Sequence, residues 1–274
     1  MTILVTGARG AVARTLVSLL REQGLQVRTG SQKPEEAAGA VLLNLKDPAT
    51  FAAALEGVTS VFLYAESSHI DAFVAEATNA GVRHIVLLSS SSTLSPDAAD
   101  SPLAKDHLDA ENALIASPIT TTILRPGTFA GNAASWSWPI KSGGPVNLVY
   151  PNSHVDPIHE ADVAESAFAV LTNPELAGKA YLLTGPRSVT FAEELDLIAE
   201  AIGKPIVVNT VSRDEWKAEM AEYMPGHFAE ALLDWWQTND NVPAEITRTV
   251  EELTGHPARD FVVWIQDHAA EFKN

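Results

Sequence analysis

The chain has 274 residues, 46% hydrophobic and 19% charged, and its 18 Lys and Arg against 35 Asp and Glu leave a formal net charge of −17. That composition excludes a disordered chain, and the acidity argues against general nucleic-acid binding or attachment to anionic lipid, both of which need a basic face. The absence of cysteine excludes disulfides, thiolate nucleophiles, zinc ribbons and iron–sulfur clusters.

In chain order, six short β-rich runs (2–6, 26–29, 40–45, 60–65, 84–89 and 120–124) alternate with helix-length segments. Several runs are almost continuously apolar, as strands are when helices cover both faces of a sheet. Asp47-Pro48 reads as an N-cap followed by Pro at the first helical position, with Gly57 as the stop, and Ser101-Pro102 repeats the device, opening a helix over 101–116. The pattern predicts an α/β fold, a doubly wound parallel Rossmann sheet. Residues 127–150, rich in Gly, Ser, Asn, Pro and Trp, read as a long loop. A helix is expected from Glu160 to Leu171 and a strand over 180–184. Thr190 with Glu193 and Ser212 with Glu215 have capping-box spacing and open two further helices. The division expected is a dinucleotide domain over 1–130, to which the chain returns at about 146–172, and a smaller, mostly helical lobe from 131–145 and 173–274.

The strongest motif is V-T-G-A-R-G-A-V-A at 5–13, which ends a strand and opens a helix. Gly7 permits the tight turn, and Gly10, Ala11 and Val12 bring backbone N–H groups to a helix N-terminus, where a pyrophosphate is favoured. Ala13 is small enough for the third position. Residues 24–34 carry no acid to hold a ribose diol; they carry Arg28, Ser31, Gln32 and Lys33, and Arg9 lies in the glycine loop. This set suits a 2′-phosphate, so NADP(H) is favoured over NAD(H); the alternative is that these are solvated surface charges. Asn44, at the end of the third run, is a candidate for the adenine.

TGARGAVA, NLKDPATFAAALEGVTSVFLYA, the His107–Glu111 pair, LRPGTF at 124–129, the 156–163 segment and YLLTGP at 181–186 follow one another in an order that resembles the NmrA-like branch of the atypical short-chain dehydrogenase/reductase superfamily. The resemblance spans nearly the whole chain and implies a Rossmann domain, a smaller C-terminal lobe and a cleft between them. Its members resemble quinone and triphenylmethane-dye reductases, isoflavone-type reductases and redox-sensing regulators. His107 and Glu111 stand where the wider superfamily has Tyr-x-x-x-Lys. Four residues apart on a helix, they share a face, and Glu111 is expected to orient a proton-donating His107; the alternative is a surface ion pair. The resemblance further implies Ser89 and Ser90 beside the nicotinamide ribose, Ser90 as a catalytic hydroxyl, and Tyr64 and Ala65 beside the pyrophosphate and that ribose. Pro126, Gly127 and Thr128 would present backbone to the nicotinamide carboxamide.

On the substrate side, Trp136 and Trp138 are expected to form an aromatic wall for a flat molecule, with Glu66 and Phe129 facing the same cleft. Sealing of the loop onto the domain is the alternative for the two tryptophans, and lobe packing for Trp235, Trp236, Tyr223, Met220 and Met224. His154 and Asp156 are expected near the cleft. His69, His154 and His159 lack metal-ligand spacing, and neither H-E-x-x-H nor G-x-S-x-G occurs, so no metal and no nucleophile triad is expected. The function expected is reduction of a flat carbonyl, quinone or conjugated compound. The alternatives are a regulator that binds the dinucleotide without turnover, and a cofactor-retaining isomerase or cyclase. MTILVTG has no basic region or cleavage site, and no apolar run approaches the roughly 20 residues of a membrane span, so a cytoplasmic monomer or homodimer acting on a small molecule is expected.

Overall fold

In the computed structural model, which describes residues 1–273, the apolar runs form β1 (Thr2–Val5), β2 (Gln26–Ser31), β3 (Val41–Leu42), β4 (Ser60–Tyr64), β5 (His84–Leu88) and β6 (Thr120–Pro126). β7 (Val146–Leu148) and β8 (His154–Val155) leave the sheet, and β9 (Ala180–Leu183) rejoins it. The sheet is parallel throughout, in the order β3-β2-β1-β4-β5-β6-β9. The chain leaves β1 for β2 on one side and resumes at β4 on the other, so a crevice opens at the carboxyl ends of β1 and β4, where doubly wound sheets bind ligands.

Alternation along each strand supplies both faces. Ile3 and Val5 join Phe62, Val86 and Leu88 beneath α1 (Ala11–Glu22). Leu4 joins Val61, Leu63, Ile85 and Leu87 beneath α2 (Phe51–Leu55), α3 (Ile70–Asn79) and α4 (Lys105–Ile115). α4 starts four residues later than expected, because Ser101 closes a turn by accepting the N–H groups of Ala104 and Lys105.

The segment expected as a loop over 127–150 is instead built of short elements: a 3-10 helix Ala130–Trp136, α5 (Ser137–Ser142) and β7. They are too short for a periodicity to be read, yet they bury Ala130, Ala133, Ile140, Val146 and Leu148 in a second core. α6 (Glu160–Thr172) returns to the first core beside α1, burying Val163, Ala167 and Val170. Residues 146–155 therefore side with the second core, and the return to the first begins near Ile158 and runs through β9.

Beyond β9, β10 (Val189–Thr190) pairs antiparallel with β8 and leads into α7 (Phe191–Ile202), whose Thr190–Glu193 capping box is present. β11 (Val208–Thr210) pairs parallel with β7, and the Ser212–Glu215 box opens α8 (Arg213–Met220). α9 (Gly226–Thr238), α10 (Thr249–Thr254) and α11 (Phe261–His268) complete the eleven α-helices of the described residues. Trp136, Phe191, Trp236 and Trp216 meet edge to face in succession, with ring centroids 5.9, 5.4 and 5.0 Å apart, so this ladder packs the lobe. α10 packs on the first core through Val250 and Leu253. Among the described residues, no helix is long and apolar enough to cross a membrane.

Candidate functional site

β1 ends in a turn that only glycine adopts without strain: Gly7 has φ 63°. The Ala8 N–H donates to the Gly30 carbonyl at 3.2 Å, and the Gly10 N–H to that of Gly7 at 2.8 Å. Gly10 is then the N-cap of α1; as glycine it brings no capping side chain, and no acid stands in the first turn. The helix N-terminus thus carries no anion of its own, which fits a dinucleotide diphosphate. A second constraint acts on the same glycines. A Cβ at Gly7 would come within 2.9 Å of the Tyr64 ring, and one at Gly10 within 2.7 Å of its hydroxyl. Tyr64, projecting from the end of β4, therefore lies against the glycine turn. Burial raises its phenol pKa, against the opposing hydrogen bond from the Ala13 backbone.

At the end of β2, Arg9 and Lys33 converge on one carboxylate. Glu36 is paired with Arg9 and, at 2.9 Å, with Lys33, all three about half exposed. The Ser31 hydroxyl is buried and accepts the Lys33 N–H. Arg28 does not join them: its guanidinium donates to the carbonyls of Ala54 and Glu56, which turns it under α2. Asn44 shapes the turn after β3, where its Oδ1 accepts the Lys46 N–H. Glu66, expected at the substrate, is held by Ser68 and by Lys46 at 3.2 Å, which ties it to that same turn. Burial opposes its ionisation, but these bonds hold its pKa below the usual value. Ala65 packs against the α2–α4 core.

The pairing expected between Glu111 and His107 differs in the structure. Glu111 points from α4 beneath the sheet ends and is 1% exposed. Its Oε1 accepts from Ser89 at 2.5 Å, Thr93 at 3.1 Å and Arg125 Nε at 3.0 Å, and its Oε2 from Arg125 Nη2 at 2.5 Å. Burial would raise this carboxyl, yet the Arg125 and hydroxyl donors hold it below its ordinary value. A buried carboxylate takes the strongest donors in reach, and a bidentate arginine outcompetes an imidazole. Glu111 thereby ties the ends of β5 and β6 together. His107 is left with a buried Nδ1 that has no hydrogen-bond partner among the described residues. Burial lowers its pKa more than Asp106 and Glu111 raise it. Ser90 accepts the Ser92 N–H and so caps the 3-10 turn Ser91–Leu94.

After β6, Pro126 pairs with Leu183, and the Gly127 N–H donates to the Leu183 carbonyl at 2.9 Å. The Thr128 N–H donates to Asp156 Oδ1 at 3.0 Å. A Cβ on Gly127 would fall inside the Asp156 carboxylate, so glycine is required by contact there. Burial pushes the Asp156 carboxyl up to about 6 against the hydrogen bonds from Thr128. Glu194 on α7 escaped sequence reasoning altogether, since an acid in a first helical turn looks like an ordinary partner of the helix dipole. It is 4% exposed, and burial, reinforced by the Asp156 charge, pushes it up to about 8.

The two tryptophans of the expected wall part company. Trp136 is in the ladder of the second core, whereas Trp138 is 77% exposed on α5. Phe129 packs on the first core and pairs with Ile158. Asp162, Glu165 and His256 have ligand atoms within 4.8 Å of one another, but Arg259 bonds both carboxylates, reaching Glu165 at 2.7 and 2.9 Å. That group is an ion-pair network joining α6 to the start of α11.

A family model described as NAD(P)H-binding matches residues 7–174. The chain is 34% identical over 280 residues to a (4-alkanoyl-5-oxo-2,5-dihydrofuran-3-yl)methyl phosphate reductase of Streptomyces griseus, covering 98% of this chain and 99% of that one. It is 30% identical over 286 residues to an NAD(P)H azoreductase of Xenophilus azovorans, with the same coverage of 98% and 99%. An NADPH-dependent quinone oxidoreductase of Escherichia coli, solved with NADPH, shares the fold with a TM-score of 0.81 at 22% identity, over 97% of this chain and 99% of that one. The glycine turn, the acid-free start of α1 and the parallel switch between β1 and β4 thus sit in a chain whose full-length relatives are reductases, and it belongs to the NAD(P)H-binding family, which fits the NmrA-like resemblance of its motifs.

Proposed function

We propose that the protein is an NAD(P)H-dependent reductase of a flat carbonyl, quinone or conjugated small molecule, with NADP(H) preferred over NAD(H). The observation that carries the reading is the acid-free start of α1 behind the Gly7 turn, at the switch between β1 and β4. His107, one turn before Glu111 on α4, is the candidate acid, with a buried Nδ1 that has no hydrogen-bond partner among the described residues. The names of the full-length relatives, a phosphate-ester reductase and an azoreductase, support the same class. The preference for the 2′-phosphorylated cofactor rests on Arg9 and Lys33.

When bound, the nicotinamide supplies the hydride. The N-terminus of α1 would hold the diphosphate, and Arg9, Ser31 and Lys33 would hold the 2′-phosphate. The Glu111–Arg125–Ser89 cluster fixes the ends of β5 and β6, where Ser89 would stand beside the nicotinamide ribose, and the backbone of 126–128 would orient the carboxamide. His107 would deliver the proton to the reduced substrate. Its lowered pKa leaves the imidazolium a minor species at neutral pH, so kcat is expected to fall as pH rises, with an inflection below 6.5. His107→Gln is expected to lower kcat by about 100-fold or more while leaving the Kd for NADPH unchanged. Steady-state assays on quinones and enones, with calorimetry for the cofactor, test this. An unchanged kcat removes His107 from the reaction, and tight NADPH binding without oxidation by any panel member overturns the reductase reading.

A further inference from the structure

β4 ends by laying one aromatic side chain across the glycine turn. Tyr64 is the last residue of β4, and its N–H donates to the Thr6 hydroxyl at 2.9 Å, which fixes its backbone beside the end of β1. Its ring meets Phe62 edge to face, with centroids 5.7 Å apart, and packs on the first core. From there the ring spans the turn. A Cβ at Gly7 would lie 2.9 Å from the ring carbons Cδ2 and Cε2, and a Cβ at Gly10 would lie 2.7 Å from the phenol oxygen. Both glycines therefore face the same side chain, one at its ring and one at its hydroxyl.

A dinucleotide needs the same space. In a turn of this kind the second glycine lacks a side chain so that the pyrophosphate can come against the backbone. The space beside Gly10 is where the Tyr64 hydroxyl sits. That hydroxyl also takes a hydrogen bond from the Ala13 N–H. First-turn N–H groups have no partner within their own helix, and they are the donors that receive a phosphate oxygen. Phenol and diphosphate thus call on the same donors from the same side. The phenol is neutral and gains less from the helix dipole than a diphosphate does, so the anion can displace it. Its way out is short. Tyr64 is only partly buried, and residues 65–67 after it are neither helix nor strand, so side-chain rotation clears the turn without unpairing β4.

We propose that Tyr64 is a stopper in the diphosphate site, and that a dinucleotide binds only as the phenol swings off the glycine turn. The proposal rests on the NAD(P)H reading above. The apparent affinity for the cofactor is then the intrinsic affinity reduced by the fraction of molecules whose ring lies off the turn. Because NADPH and NADH carry the same diphosphate, the stopper weakens both by one factor. Tyr64 sets how tightly the cofactor is held, whereas Arg9 and Lys33 address which cofactor it is.

The test measures Kd by calorimetry for NADPH, NADH and adenosine 2′-monophosphate, which has no diphosphate, on the wild type, Tyr64→Phe and Tyr64→Ala. Tyr64→Phe loses the hydrogen bond to Ala13 and is expected to tighten both dinucleotides about two- to tenfold. Tyr64→Ala clears the turn and is expected to tighten them at least as much; Tyr64→Phe carries the test should Tyr64→Ala fail to fold. Adenosine 2′-monophosphate is expected to bind all three proteins alike. The chain has four tyrosines, so 3-fluorotyrosine labelling gives a simple fluorine NMR spectrum. The resonance missing from labelled Tyr64→Phe is expected to shift in the wild type on saturation with NADPH and to stay in place with adenosine 2′-monophosphate. Unchanged or weaker dinucleotide binding in the folded variants, an equal gain for adenosine 2′-monophosphate, or a Tyr64 resonance that NADPH does not move overturns the proposal. Failure of the wild type and both variants to bind either dinucleotide would instead overturn the cofactor reading.

Discussion

Glu36 pairs with both Arg9 and Lys33, the residues proposed for a 2′-phosphate. On that proposal it is an internal anion that an incoming phosphate would have to displace or share partners with. Exposed pairs of this kind are worth at most about 1 kcal/mol, so the competition is modest. Glu36→Gln is expected to tighten NADPH binding by up to about fivefold and to leave NADH little changed. Calorimetric Kd values for the two cofactors check this, and an equal effect on both would mean that Glu36 does not address the 2′ position. Arg9 and Lys33 are readable from the sequence because a glycine loop and the end of a second strand converge in any Rossmann sheet. Glu36 is not, since nothing in a Pro-Glu-Glu turn says which way its second acid points. Arg28 fails for the converse reason: its position on β2 is readable, but the free carbonyls of Ala54 and Glu56 that capture it belong to another element.

Elements rather than residues explain where the rest of the site was hidden. The strands and the glycine turn follow from local pattern. The Glu111 cluster does not, because its donors come from β5, β6 and the Ser91–Leu94 turn, 14 to 22 positions away in the chain. The i, i+4 spacing suggested His107 as the partner, and burial beneath Arg125 overrode it. The short elements of 130–148 likewise declare themselves only through the second core. α7 is the element on which that core turns: its capping box sets the helix start, and the helix start sets Glu194. Thr190→Ala removes one side of that box and is expected to cost about 0.5–2 kcal/mol, lowering the thermal midpoint by about 2–4 °C per kcal/mol for a chain of this size. A scanning melt checks it, and an unchanged midpoint would mean that β10 and the β8 ladder alone hold the start of α7.

For the whole molecule the buried acids set a pH dependence of stability. Glu194 ionises near 4.5 when unfolded but near 8 in the fold. Below pH 4.5 it is neutral in both states and costs nothing. As pH rises the unfolded chain gains from ionising it while the folded chain does not, so stability falls up to about pH 8 and then levels. Asp156 adds a loss of the same sign between 3.8 and about 6. The carboxylates held low by arginine, Glu111 and Glu165, act oppositely and lose their contribution as pH falls through their lowered pKa values, below 4.5. Glu194→Gln is therefore expected to melt several degrees above the wild type at pH 8, with the gap closing towards pH 4.5. A gap that does not change with pH would remove Glu194 from this balance.

The sheet's two margins bear on how the protein behaves in a crowded solution. On one side it stops at β3, only two residues long, and on the other β9 lies beside α10. β3 pairs only with Gly30 and Ser31, so that margin is a two-residue strand followed by the four residues Gln26–Thr29 of β2, a short ladder for another chain to copy, and the helix crowds the opposite margin. Edge-to-edge growth into fibres needs a long, flat, bare strand, and this sheet presents none at β3. With a net charge of −17 adding long-range repulsion between copies, the sheet gives the protein little tendency to aggregate by strand addition, even where its concentration is high.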